Sequence, residues 1–122
     1  MKEIDMYVRG ICNCMSEDRE GKFVVLLEYG RHQKIIKGKE YNTISANRML
    51  IKAMIEGVKL LHEPCLINIY TPTKVGFNSK KSPNRFMIDT FKNLCVEGGH
   101  EFIEVVSRNR QNELIMILKT LG

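Results

Sequence analysis

The residues best suited to chemistry in this sequence are cations. Lys74, Lys80, Lys81, Arg85 and Lys92 stand in one stretch that only Asp89 opposes, Arg108 and Arg110 form a second group, and Lys34, Lys37 and Lys39 a third. The whole chain carries a net charge of +5, from 19 Lys and Arg against 14 Asp and Glu. Such groups neutralise phosphates, so they favour polyanionic partners, nucleic acid above all, with an affinity that depends on salt and little on base sequence. Nucleophilic and metal chemistry find less. His32, His62 and His100 have no Ser, Cys or carboxylate at a useful spacing and read as surface or loop histidines. Cys12-Asn13-Cys14 has no second Cys/His pair at zinc-finger distance, so neither metal nor redox role is expected of it. Cys65 and Cys95 lie in apolar contexts and read as small core residues. Asp5, Glu17, Asp18 and Glu113 are scattered and read as surface acids.

One position stands out. Ile67-Asn68-Ile69-Tyr70-Thr71-Pro72-Thr73-Lys74-Val75 reads as a buried strand that runs into a turn. In α/β folds the carboxyl end of such a strand is where chemistry usually sits. An acid is the expected occupant there, and this chain has Pro72.

The elements that must position these residues follow from periodicity. Residues 2–9 alternate, with Ile4, Met6 and Val8 against Glu3, Asp5 and Arg9, which is a strand pattern. Phe23 to Leu27 and Gln33 to Lys37 read as two more strands, separated by Tyr29-Gly30-Arg31, and the three form an antiparallel meander. Ser45 is the expected N-cap of a helix to about Leu61, with Met49, Ala53, Met54, Val58 and Leu61 on its sheet side. Cys65 to Tyr70 is the fourth strand. Ser82 and Pro83 are expected to cap and start a second helix that stops near Gly98-Gly99. Phe102 to Val106 is the fifth strand, and Asn109 is expected to cap a last helix bearing Leu114, Ile115, Leu118 and Leu121. The order β-β-β-α-β-α-β-α predicts one mixed sheet whose later strands are parallel. The chain, 122 residues and 43% apolar, is expected to form one domain, 1–122, with a real core. No run of 18 apolar residues appears, and Met1-Lys2-Glu3-Ile4-Asp5 does not read as a signal peptide, so a cytoplasmic setting is expected.

That order, with Tyr7-Val8-Arg9-Gly10-Ile11-Cys12, Leu27-Glu28-Tyr29-Gly30, Asn42-Thr43-Ile44-Ser45-Ala46-Asn47-Arg48-Met49, Ile69-Tyr70-Thr71 and Arg110-Gln111-Asn112-Glu113-Leu114, resembles the bacterial-type ribonuclease H domain over nearly the whole chain. The resemblance implies an α/β, RNase H-like fold: a five-stranded mixed sheet with helices on both faces. It also implies cleavage of the RNA strand of RNA/DNA hybrids by two divalent metal ions held by four acids. Two hard cations need anionic oxygen ligands. At the four corresponding positions this chain has Arg9, Leu50, Pro72 and Asn112. On the resemblance, then, no metal or other cofactor is expected, no residue is expected to be catalytic, and the chain is expected not to be an enzyme.

Part of the family's binding surface persists. Of its two minor-groove residues the first is Ala46 here and the second is kept as Asn47, and Thr43 lies near its phosphate-contacting threonine. The family's tryptophan-bearing basic hairpin is largely missing, and the chain has no Trp. Arg9 and Lys74 are expected near the ends of adjacent strands, with Arg48 close by. The expected function is non-catalytic binding of nucleic acid, duplex or hybrid, at low specificity, through Arg9, Thr43, Asn47, Arg48, Lys74, Lys80, Lys81 and Arg85. The alternative is a structural or protein-interaction module, with a homodimer through the apolar run Leu114-Ile115-Met116-Ile117-Leu118 as one form of it.

Overall fold

Strand β1, Lys2–Cys12, turns back into β2, Gly21–Tyr29, which turns back into β3, His32–Glu40. The computed structural model describes residues 1–13 and 15–121, so Cys14, the second thiol of Cys12-Asn13-Cys14, lies outside the described residues. Helix α1, Ala46–Val58, leads to β4, Cys65–Thr71; α2, Arg85–Gly98, leads to β5, Glu101–Val106; and α3, Gln111–Lys119, closes the order. The strands lie in the order β3-β2-β1-β4-β5. β1, β2 and β3 pair antiparallel, while β4 runs parallel to both β1 and β5. This is the RNase H-like mixed sheet expected from the sequence. No helix among the described residues is long and apolar enough to cross a membrane.

Both faces of the sheet are covered, and the sequence pattern says how. Ile4, Met6 and Val8 of β1, Phe23, Val25 and Leu27 of β2, and Cys65, Ile67 and Ile69 of β4 point into one core with α1 and α2. Tyr7, Val24 and Leu26 point to the opposite face, where Leu114 and Leu118 of α3 meet them. β2 is therefore apolar at consecutive positions, as a strand buried on both faces must be. The edge strand β3 has only Ile36 packed against the core, and its Lys34 and Lys37 are exposed, which discourages pairing with another chain. α1 is capped as expected: the Ser45 hydroxyl accepts from the backbone N–H of Arg48 at 3.1 Å. The cap contributes about 1 kcal/mol. Burying even a few large side chains, at roughly 1.5–3 kcal/mol each, outweighs it. Met49, Ile51 and Met54 are fully buried, so packing holds this helix. It ends at Val58, short of the expected Leu61, in tighter turns from Leu60 N–H to Gly57 O and from Leu61 N–H to Val58 O.

Three expectations at the helix ends and core need correction. α2 starts at Arg85 with Asn84 at its N-cap; the Ser82 hydroxyl instead accepts from Asn84 N–H in the preceding turn, and neither Ser82 nor Pro83 belongs to the helix. α3 is preceded by Arg110 at φ +64, not capped by Asn109. His100 is buried, and its Nδ1 accepts the backbone N–H of Cys65 at 3.1 Å. Burial holds that imidazole below its ordinary pKa. Burial likewise pushes the Cys95 thiol up to about 11. The apolar run of α3 is one-sided: Leu114 and Leu118 are buried, while Met116 is 61% exposed. The run is explained by core packing, and a dimer or protein partner finds no support in it.

Candidate functional site

The C-terminal ends of the three parallel strands converge on the first turn of α1, as the carboxyl-end rule for such sheets leads one to expect. A cleft of about 250 Å³ opens there. β1 contributes Arg9 and Gly10, α1 contributes Ala46, Asn47 and Leu50, the turn after β4 contributes Pro72 and Thr73, and the turn after β5 contributes Arg108. Gly10 sets the depth of the cleft. A Cβ on it would lie 2.3 Å from the backbone nitrogen of Leu50 and 2.6 Å from the carbonyl oxygen of Ala46. Only a residue without a side chain lets β1 and α1 approach this closely.

The two guanidinium groups reach the cleft by different routes. Arg9 donates from Nη1 to Gln111 Oε1 at 3.2 Å, and Gln111 Nε2 donates to the carbonyl of Val8 at 3.2 Å. Gln111 is 3% exposed. Arg108 is carried by a turn in which its carbonyl accepts the N–H of Gln111 at 3.1 Å. Arg110 anchors that turn from the other side. Its guanidinium lies 2.7 Å from the Glu28 carboxylate and 4.9 Å from the centre of the Tyr7 ring, which stacks on Tyr70 at 4.5 Å. Burial works against the Arg110 charge, but the hydrogen bond and charge of Glu28 outweigh it and hold its pKa above the usual arginine value. The Glu28 carboxyl is held below its usual range by the hydrogen bond from Gln33 and, against the effect of burial, by Arg110.

The structure sorts the residues expected to bind. Arg9 and Asn47 meet in the cleft. Lys74 is exposed directly after Thr73, and Lys80 and Lys81 are exposed further along the same loop. Thr43 is fully buried, its hydroxyl donating to the carbonyl of Glu40, so its side chain is not presented to a ligand. Arg48 turns to Glu40, Nε to Oε1 at 2.8 Å, and does not line the cleft. Arg85 is tied to Asp89 and to the carbonyl of Phe77, and Lys92 donates to the same carbonyl at 2.8 Å. Both fasten the loop whose Phe77 packs against Phe91 and Phe102. Arg108 and Gln111 were not among the expected site residues. The grouping of Arg108 with Arg110 was the only sequence signal for the first, and the second stood only within the Arg110-Gln111-Asn112-Glu113-Leu114 stretch, one residue before the position matched to the fourth acid.

The donor set does not fit the divalent ions that the resemblance implies. Arg9, Leu50 and Pro72 line the cleft and offer no side-chain oxygen, while Asn112 is exposed on α3 and is not a lining residue. Among the described residues no group of three or more His, Cys, Asp or Glu is placed to hold a metal ion.

No protein-family model matches the chain. Curated relatives do. It is 42% identical over 79 residues to the Ribonuclease H of Caldicellulosiruptor saccharolyticus, covering 65% of this chain and 52% of that one. It is 38% identical over 74 residues to the Ribonuclease H of Erythrobacter litoralis, covering 61% and 49%. The chain thus spans about half the length of the curated relatives it matches. Among solved structures it is similar to the RNase H1 of Halobacterium salinarum, with a TM-score of 0.65, 12% identity and coverage of 95% of this chain and 93% of that one. It is also similar to the N-terminal RNase H domain of a Mycobacterium tuberculosis protein, with a TM-score of 0.67, 13% identity and 97% coverage of both. These structural likenesses are likenesses of fold.

The relatives also correct one expectation. The chain was expected not to be an enzyme, yet proteins 38–42% identical to it are named Ribonuclease H, an enzyme, and they favour an enzyme over a chain without activity. Strand order, parallel and antiparallel pairing and helices on both faces, together with the likeness to these solved structures, give the chain an RNase H-like fold.

Proposed function

We propose that this chain acts on nucleic acid and holds a backbone phosphate in the cleft between Arg9 and Arg108. The observation that carries the reading is the pair of guanidinium groups lining one concave site with no carboxylate among its lining residues. Phosphate is the anion that such a site suits, since planar guanidinium groups match its oxygens in pairs. The first turn of α1, whose dipole places partial positive charge beside Asn47, adds to the field. Asn47 reaches the same space and supplies a neutral donor and acceptor for sugar or base. Exposed Lys74, Lys80 and Lys81 extend the positive surface along the loop after β4 and suit further phosphates of a duplex. The relatives' name makes an RNA/DNA hybrid the first ligand to test and hydrolysis the first activity to assay. A cytoplasmic setting fits the buried free thiols Cys65 and Cys95.

The test is fluorescence anisotropy with labelled RNA/DNA hybrid, duplex DNA, duplex RNA and single strands, with and without Mg²⁺, the same samples being resolved on a gel for cleavage. Micromolar or tighter binding that falls steeply with salt is expected. Arg9→Glu with Arg108→Glu should weaken it at least about tenfold, the loss of two charge-assisted contacts. Unchanged affinity in that double variant refutes the cleft.

A further inference from the structure

Gln111 is a buried carboxamide with both ends engaged. Its oxygen faces a cation and its nitrogen faces a carbonyl, so a flipped amide would set donor against donor and acceptor against acceptor. One orientation is therefore fixed. Arg9 in turn has a single polar contact, from Nη1, and among the described residues it makes no ion pair. An arginine has five N–H donors in a rigid plane, so tying Nη1 to Gln111 leaves the Nε and Nη2 edge unengaged. The residue beside it, Gly10, permits α1 to close over the strand, and Arg9 lines the resulting site of about 250 Å³. Gln111 is itself held, since its N–H bonds the carbonyl of Arg108 and the adjacent Arg110 is pinned by Glu28 and Tyr7.

We propose that Gln111 is the positioning residue of the cleft, fixing the Arg9 guanidinium so that its Nε–Nη2 edge meets a phosphate group as a two-point fork. The inference rests on the phosphate-binding reading of the cleft and deepens it: Arg9 acts through fixed geometry as well as charge. A lysine at position 9 would keep the charge and lose the fork.

The probe is a fluorescein-labelled RNA/DNA hybrid titrated with wild type, Arg9→Ala, Arg9→Lys, Gln111→Met and the Arg9→Ala/Gln111→Met double variant. Each is measured from about 50 to about 200 mM salt, with thermal midpoints recorded alongside. Arg9→Ala is expected to weaken binding about tenfold and to reduce the salt slope by about 0.9, one phosphate contact. Gln111→Met and Arg9→Lys are expected to weaken it about fivefold each, less than the full contact is worth, with the wild-type slope retained. The double variant is expected to bind no more weakly than Arg9→Ala alone, because a residue that acts through Arg9 has nothing left to position. A general structural role for Gln111 would add its loss to that of Arg9→Ala, and that outcome overturns the proposal. Wild-type affinity in either Gln111→Met or Arg9→Lys overturns it too, while a weakened Arg9→Ala keeps the cleft. Wild-type affinity in Arg9→Ala removes the cleft reading itself. Arg9→Lys leaves the buried carboxamide in place, so it decides the matter even where Gln111→Met unfolds.

Discussion

Gly10→Ala should be among the most damaging single-methyl additions in this protein. The added carbon would lie 2.3 Å from Leu50 N, 2.6 Å from Ala46 O and 2.7 Å from the carbonyl carbon of Met49. All three are backbone atoms, so none can rotate away as a side chain would. Ordinary contact begins near 3.4 Å, so α1 must withdraw from β1 by roughly 1 Å. The helix cannot tilt freely, because Met49, Ile51 and Met54 are fully buried in the core around it. Overpacking of this kind costs about 1–3 kcal/mol, and backbone overlap belongs at the upper end. For a chain of this size about 3 kcal/mol corresponds to a fall of roughly 12 °C in Tm. Gly30→Ala supplies the comparison. It meets nothing within 4 Å and suffers only from φ +58, a strain of roughly 1–2 kcal/mol. Thermal unfolding followed by circular dichroism measures both. A Gly10→Ala midpoint within about 2 °C of wild type, or above that of Gly30→Ala, would show that the close approach of β1 and α1 is not what Gly10 is there for.

Two further outcomes are expected. The His100 imidazole has a depressed pKa in the folded state, so its neutral form is the one the fold favours. Its contribution is complete above about pH 6.5, the unfolded value, and is lost as pH falls from there toward the folded value. Tm should therefore drop more steeply for wild type than for His100→Asn between about pH 7.5 and about pH 5.5, and parallel curves would assign the Cys65 N–H bond no pH dependence. On α3, Leu114→Ala should cost about 2–5 kcal/mol and Met116→Ala under about 0.5 in urea unfolding. Similar costs at the two positions would contradict the one-sided burial of that helix.

Most of the scaffold was legible because it is written locally. Ile4, Met6 and Val8 announce β1 by alternation, the Ser45 cap and the periodic apolar residues after it announce α1, and both stand within a few residues of expectation. The helix starts after loops were harder. Ser82 and Asn109 are good capping types, but the chain turns at Asn84 and at Arg110, where tertiary contacts set the backbone. The site was half legible. Arg9 and Asn47 are where the strand and helix patterns put them. Thr43, Arg48, Arg85 and Lys92 are polar residues whose partners are carbonyls or carboxylates of the same protein, and only the fold shows that those partners take them. The part Gln111 plays was not legible for the opposite reason: its two partners lie on β1, more than 100 residues away.

That separation has a consequence for how the protein assembles. β1, β2 and β3 are joined by short connections and their closure entropy is small, so the meander can form while the rest of the chain is loose. β4 must then find β1 across the register Lys2 to Cys65, and Gln111 of α3 must find Arg9 across 102 residues of chain. The cleft has no precursor in any local segment. Its two arginines stand on β1 and in the turn after β5, so they line one space only once β1, β4 and β5 have paired, and a chain whose sheet is incomplete carries the same positive charge without the site.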